Sequence, residues 1–418
     1  PRPNLSSTGK SQQKTYNGAP GPIFIVWGKG AKAVHRTGLT RWIAALLCLL
    51  VCQGAAKAME PAGRAAYLMD PYSGRVFLEK ASEEALPVAS ISKLMTLVLI
   101  LEAVERGELA LEDLVTASPF AASKRGSRIW LEAGEQLPLG ELIYAIAVGS
   151  ANDAAVAVAE YMAGSEKQFV ELMNQRAGEL GLSSTRFVNC TGLPEEDGSH
   201  NLMSAKDAAL LARHALTVPL LMDYVSTYEY TMRADTTKIP VLWNANKLLR
   251  RYYGVDGMKT GFTTEAGYCM VATAQRENLR LIAVTLGHKS EEERETAARA
   301  LLDYGFRKYQ SLLLYPQGTA VSSMDCATGS PRTVQVVVPE DFHITVERGK
   351  EVDFVTVITL EKDLRPPIQQ GETVGALTVL YQDEILGTTS LTVAETVRRL
   401  SFPALVYRLA QALAQAVF

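Results

Sequence analysis

The chain has 418 residues and a mass of 45.4 kDa, enough for two or three domains. At 47% hydrophobic, 21% charged and 7% aromatic it has a globular composition, which excludes a largely disordered chain. The net charge of −3 conceals an asymmetry. Residues 1–58 carry eight of the 42 basic residues and no acid; the remainder sets 34 basic against 45 acidic side chains, a net of −11 that argues against nucleic-acid binding.

Residues 42–52 form an eleven-residue uncharged apolar run, preceded by Arg36 and Arg41 and followed by Ala56-Lys57-Ala58. A basic flank, a short apolar stretch and a small-x-small site predict a secretory signal peptide, with Met59 as the mature N-terminus. Eleven residues are too few to cross a bilayer core of about 30 Å. Residues 1–33 are polar and rich in Gly, Pro, Ser and Lys, and are expected to lie upstream of a true translation start near Val34 or Leu39. Residues 1–58 are therefore read as a spurious leader plus signal peptide. Cys48 and Cys52 fall inside that segment; Leu47 and Val51 before them are too large for a lipidation site. Cys190, Cys269 and Cys326 show no metal-ligand spacing and are expected to be mostly buried apolar residues.

From Met59 the pattern predicts a hairpin, 65–70 and 75–80, joined by Pro71-Tyr72-Ser73-Gly74. A long apolar helix is predicted at about 90–105, with Ser90 satisfying amides of its first turn. Helical stretches follow at about 139–163 and 165–180, then a Gly-, Asn- and Asp-rich loop at 185–203, then a helix at 204–216 capped by Ser204. Residues 255–262, 266–275 and 279–288 read as three strands. Ser290 with Glu293 makes a capping box that opens a helix to about 308. Strands near both ends and helices between them predict an α/β (α+β) domain, an antiparallel sheet covered by helices, over 59–309. Residues 310–393 read as an all-β domain, with strands at 333–338, 343–346, 352–360, 374–381 and 387–393. Residues 394–418 are helical again, with Leu405, Leu409, Ala412, Leu413 and Ala416 on one face and Arg408, Gln411 and Gln415 on another. Such a stripe is expected to lie in a membrane interface.

Three short motifs occur in one order: Ser90-Ile91-Ser92-Lys93 is S-x-x-K, Ser150-Ala151-Asn152 is S-x-N, and Lys259-Thr260-Gly261 is K-T-G. Each alone is weak. Ser7 to Lys10 and Ser199 to Asn201 match the first two by chance. The order, the element predicted for each, and the 60 positions from Ser90 to Ser150 make the set specific. Ser90 and Lys93 are i and i+3 on a helix and face together. A serine hydroxyl needs a base to become a nucleophile. Lys93 can serve if it is neutral, and burial plus a second ammonium, from Lys259, would lower its pKa. Ser150 could relay a proton to a leaving amine, Asn152 hold a substrate amide, Lys259 and Thr260 take a terminal carboxylate, and Gly261 admit a substrate strand close to the backbone. Asp153 reads as a cap or surface charge, and the stretch from Arg128 to Trp130 as a candidate lining. The five histidines, His35, His200, His214, His288 and His343, show no ligand spacing, so neither metal nor cofactor is expected.

With these motifs the chain resembles the serine D-alanyl-D-alanine carboxypeptidases, the low-molecular-mass penicillin-binding proteins. Residues 87–96, 189–193, 246–249 and 257–269 look like segments of that family, and the resemblance spans about 59–395. It implies a β-lactamase/transpeptidase-like catalytic fold with a small β-rich domain behind it. It implies Ser90 as nucleophile, Lys93 as general base, Ser150 as relay, and an oxyanion hole from the N–H groups of Ser90 and Phe262, worth about 3–4 kcal/mol per donor. The implied substrates are peptidoglycan stem peptides ending in D-Ala-D-Ala, with β-lactams as covalent inhibitors. Two alternatives stand beside it: a β-lactamase-like hydrolase, for which Glu195 or Glu196 would have to activate water, and a penicillin-binding scaffold protein without turnover.

Overall fold

The computed structural model describes residues 24–27, 59–233, 241–350, 353–361 and 365–417. The expected signal peptide lies outside the described residues. The chain divides into two compact units, one over Cys52–Lys308 and the other over Tyr309–Phe418 with the start of the chain.

The first unit is built on a five-stranded antiparallel sheet. Its strands are β1 (Ala65–Met69), β2 (Val76–Lys80), β3 (Val255–Thr263), β4 (Gly267–Arg276) and β5 (Leu279–His288), in the order β3-β4-β5-β1-β2. β3 is thus an edge strand, and it carries the K-T-G motif. Every residue of β1 is buried, as expected of a strand covered on both faces. Helices supply the cover: α1 (Lys93–Glu105), α2 (Leu139–Ala147), α3 (Asn152–Ala163), α4 (Glu166–Glu179), α5 (Ala205–Ala215) and α6 (Glu291–Lys308). α5 packs on β5 and β1, and α6 on β4 and β5. α1 is apolar all round and buried from Lys93 to Ala103, so it runs through the core and not over its surface. Ser165 and Ser204 cap α4 and α5 through the N–H groups of Gln168 and Asp207. Ser290 accepts from the Glu293 N–H, while the Glu293 carboxylate reaches back to the Lys289 N–H.

Two sequence expectations change. The segment at 90–105 does not begin as an α-helix capped by Ser90. Residues Ala89–Ser92 form a 3₁₀ turn with no side-chain cap, entered through Ala89 at φ +48°. The segment at 139–163 is two helices, α2 and α3, broken around Ser150 at φ +55°. The apolar pattern continues across the break, so periodicity does not reveal it. Tertiary partners make it possible: the Ala151 N–H donates to Ala145 O at 3.0 Å and the Asn152 N–H to Ser127 O at 2.7 Å.

The second unit is a β-domain with its own core of Val334, Val336, Ile344, Val374, Leu377, Leu391 and neighbours. Its main sheet has the order Phe24–Trp27, Val355–Leu360, Thr373–Tyr381, Glu384–Val393, Thr333–Val337, Ala320–Asp325. The first of these strands belongs to the stretch read as leader and pairs antiparallel with Val355–Leu360. Tyr309–Tyr315 pairs with Phe342–Glu347. α7 (Phe402–Val417) follows. Arg408, on the face away from the apolar stripe, donates to the carbonyls of Gly329 at 2.7 Å and Ala327 at 3.1 Å. Among the described residues no helix is long and apolar enough to cross a membrane.

Candidate active site

The three motifs converge. The 3₁₀ turn sets Ser90 at the head of α1 and Lys93 one turn on, with Lys93 Nζ 3.0 Å from Ser90 Oγ. Lys93 is fully buried, and its Nζ also donates to Asn152 Oδ1 at 2.6 Å and to the Thr191 carbonyl at 2.7 Å. The break between α2 and α3 presents Ser150, whose Oγ lies 3.0 Å from Lys259 Nζ on β3. Ser90–Lys93–Asn152 and Ser150–Lys259 thus form two short chains of contact. Left-handed non-glycine residues such as Ala89 and Ser150 cost about 1–3 kcal/mol each and persist only where the surroundings impose them. Here they aim the two hydroxyls.

Two glycines make the close approaches possible. A Cβ on Gly261 would lie 2.5 Å from Val88 O and 3.1 Å from Ser90 N, so β3 and the Ser90 turn touch through backbone. A Cβ on Gly192, at φ +84°, would lie 2.0 Å from Ala89 O. Asn189 shapes that second loop by accepting from the N–H groups of Thr191 and Gly192 at 3.1 and 2.7 Å. Asn246 donates to Gly257 O at 2.9 Å and braces the start of β3. Phe262 is exposed beyond Gly261, its ring 4.2 Å from that of Tyr268.

Electrostatics follow from burial. Lys93 is pushed down to about 7, chiefly by desolvation, against the pull of the Asp153 and Glu166 carboxylates. Lys259 is also buried and is held well below its ordinary value, first by desolvation and then by the charges of Lys93 and Arg294. Burial is the main cause for both amines; the repulsion between them falls on Lys259, so a second ammonium, anticipated from the motifs, is not what lowers Lys93.

Several residues escaped sequence reasoning. Asp153 is neither a cap nor a surface charge. It is fully buried and accepts from the N–H groups of Ile129, Leu131 and Ala154, each near 3 Å. It pins the stretch holding Arg125 and Ser127, whose carbonyls receive Asn152 Nδ2 at 2.6 Å and Asn152 N at 2.7 Å. The same bonds leave Trp130 exposed at φ +55° between buried Ile129 and Leu131. Arg294 on α6 is a buried cation acting on Lys259, and nothing in its helical pattern marks it. Cys190, Cys269 and Cys326 are buried and free. Glu195, one candidate for a water-activating base, accepts from Asn189 Nδ2 and braces the loop; Glu196 is exposed.

A serine hydroxyl set 3.0 Å from a buried amine is the arrangement that serine acyl transfer requires. The comparisons place the chain further. The family profile of D-alanyl-D-alanine carboxypeptidases (Peptidase_S11) matches residues 53–290, and that of the penicillin-binding protein 5 C-terminal domain matches 309–399. The D-alanyl-D-alanine carboxypeptidase DacF of Bacillus subtilis (strain 168) is 36% identical over 340 residues, 81% of this chain and 87% of that protein. The crystal structure of a peptidoglycan synthesis regulatory factor, PBP3, from Streptococcus pneumoniae is similar at TM-score 0.69 and 28% identity, covering 81% of this chain and all of that one. Penicillin-binding protein D2 from Listeria monocytogenes in its ampicillin-bound form is similar at TM-score 0.51 and 32% identity, covering 59% of this chain and 98% of that one. The chain belongs to the D-alanyl-D-alanine carboxypeptidase family of serine peptidases.

Proposed function

We infer that the chain is a serine D-Ala-D-Ala carboxypeptidase that removes the terminal D-alanine of peptidoglycan stem peptides through an acyl-enzyme on Ser90. The observation that carries this is the fully buried Lys93 amine 3.0 Å from Ser90 Oγ, inside a chain of that family. In this reading neutral Lys93 accepts the Ser90 proton while Oγ bonds to the carbonyl carbon of the penultimate D-Ala. The oxyanion accepts from the N–H groups of Ser90 and Phe262. Ser150, linked to Lys259, passes a proton to the nitrogen of the leaving D-alanine as the C–N bond breaks. Water then attacks the ester, and the same groups take its proton and return Ser90 to the hydroxyl form. Asn152 orients the substrate amide. Lys259 and Thr260 receive the terminal carboxylate, whose arrival favours the protonated form of Lys259 that burial disfavours. The substrate backbone lies along the free edge of β3, beside Gly261. A β-lactam acylates the same serine in place of the peptide.

The pH dependence tests this. Below about pH 7 Lys93 is an ammonium and cannot accept a proton; above it the amine is neutral. kcat/KM for D-Ala release from a D-Ala-D-Ala tripeptide should therefore rise through about pH 7. A rate flat from pH 5 to 9 would contradict the role of Lys93.

The division into a catalytic part over 59–309, a β-rich part over 310–393 and a terminal helix completes the reading. The signal segment exports the chain, and α7 holds it at the outer face of the membrane. Exposed Phe402, Val406, Tyr407 and Leu409 on α7 support that placement. The full mature chain should co-sediment with anionic lipid vesicles, and a form ending at residue 401 should stay in the supernatant with D-Ala release intact. Equal sedimentation of both would remove the anchor.

A further inference from the structure

Of the three acceptors around Lys93 Nζ, one is a backbone carbonyl, that of Thr191 at 2.7 Å. Its loop is fixed from several sides. Thr96 Oγ1 donates to the Cys190 carbonyl at 2.8 Å, and Asn189 takes the N–H groups of Thr191 and Gly192. The Cys190 N–H and thiol both donate to Glu166 Oε1, each at 3.2 Å. The other oxygen, Glu166 Oε2, accepts from Lys124 Nζ at 2.8 Å. The Glu166 and Lys124 side chains are only 11% and 19% exposed, and Cys190 is fully buried. Helix α4 does not need this carboxylate as a cap, because Ser165 already serves the N–H of Gln168. A desolvated ion pair that reaches across to a catalytic loop calls for another role.

We propose that Glu166 is a positioning residue for the reaction: through Cys190 it holds the Thr191 carbonyl against Lys93 Nζ, and its charge, moderated by Lys124, adds to what sets how readily that amine carries a proton. The proposal rests on the reading of Lys93 as the base. The titratable and charged groups facing Lys93 come from four elements. α3 supplies Asp153, committed to three backbone N–H groups. α4 supplies Glu166, with Lys124 as its partner. The 189–193 loop supplies Cys190, whose thiol is kept protonated by burial and by Glu166 and so brings no charge. β3 supplies Lys259, backed by Arg294 from α6. Glu166 is the group whose charge can be removed while its bond to the loop is kept, because a glutamine presents the same oxygen to the Cys190 N–H.

The test compares pH profiles of kcat/KM for D-Ala release by the wild type, Glu166→Gln, Lys124→Met and Glu166→Ala, with thermal unfolding of each as a check on the fold. Glu166→Gln should move the acid limb to lower pH by about half a unit or more, as removal of a nearby buried negative charge requires. Its rate on the alkaline plateau should stay within about threefold of wild type. Lys124→Met, which leaves the carboxylate unopposed, should move the limb to higher pH. Glu166→Ala loses charge and hydrogen bond together; its limb should move down and its plateau fall by at least about tenfold. A purely structural Glu166 would lower the plateau without moving the limb, and that result overturns the proposal. So do Glu166→Gln and Lys124→Met profiles that coincide with wild type. A wild-type profile with no acid limb removes the base reading itself, and this proposal with it; a wild-type limb that the variants do not move removes only the proposal.

Discussion

Ser90→Ala is expected to release D-alanine from a D-Ala-D-Ala tripeptide at least about 10³-fold more slowly than wild type, because the nucleophile and its base act as one unit. The same variant should take no covalent penicillin label. Truncation removes a single half-buried oxygen whose contact is Lys93 Nζ at 3.0 Å. The 3₁₀ turn does not depend on it, since the Ile91 N–H donates to Val88 O and Ser92 Oγ to Ala89 O. The unfolding midpoint should accordingly stay near that of wild type. Mass spectrometry of the intact protein after penicillin treatment reads the acylation directly. Release within tenfold of wild type, or a penicillin adduct on the variant, would show that another group attacks the carbonyl.

Lys93→Met is expected to lose at least about 10²-fold in kcat/KM, the usual range for a general base, and to abolish the rise through pH 7. Methionine fills most of the same buried space without an ammonium to desolvate. Against that gain stand two acceptors left unsatisfied, Asn152 Oδ1 and the Thr191 carbonyl, at about 1–3 kcal/mol each. Stability should therefore change modestly while activity collapses. Steady-state kinetics across pH 5 to 9, with the melting temperature of the same preparation, separates the two effects. A residual activity that still rises through pH 7 would assign the limb to a different residue. Because burial depresses both Lys93 and Lys259, the behaviour of a Lys259→Met variant is the natural control: it should chiefly raise KM for a peptide with a free terminal carboxylate.

How much of this was legible beforehand depends on what linear spacing encodes. The i, i+3 contact of Ser90 with Lys93 lies within one turn and can be read from four letters. The three sheet strands at 255–263, 267–276 and 279–288 show as apolar runs set off by polar turns, and the all-β texture after 310 is equally plain. The kink at Ser150 was not legible, because the apolar residues on either side keep helical period through it. Asp153 looked ordinary because a carboxylate in the first turn of a helix is a common cap. Its real partners, the N–H groups of Ile129 and Leu131, sit on a loop that chain order does not bring to mind. Small elements such as Leu114–Thr116 with Gln136–Pro138, and Glu229–Thr231 with Val241–Trp243, are too short for any period to appear.

The amino-acid sequence by itself determined the reaction class, since a hydroxyl, an amine and a Lys-Thr-Gly strand end in that order leave few chemistries open, and it determined where the longer strands and helices of the first unit lie. Only the tertiary structure decided what state the chemistry starts from. Lys93 meets Asn152 across 59 positions and Thr191 across 98, and Lys259 meets Ser150 across 109. Those distant contacts strip the water from two amines, and removing water from an ammonium lowers its pKa far more than any neighbour in sequence does. A string of residue types names the groups that react; the dielectric around each is a property of everything packed against it.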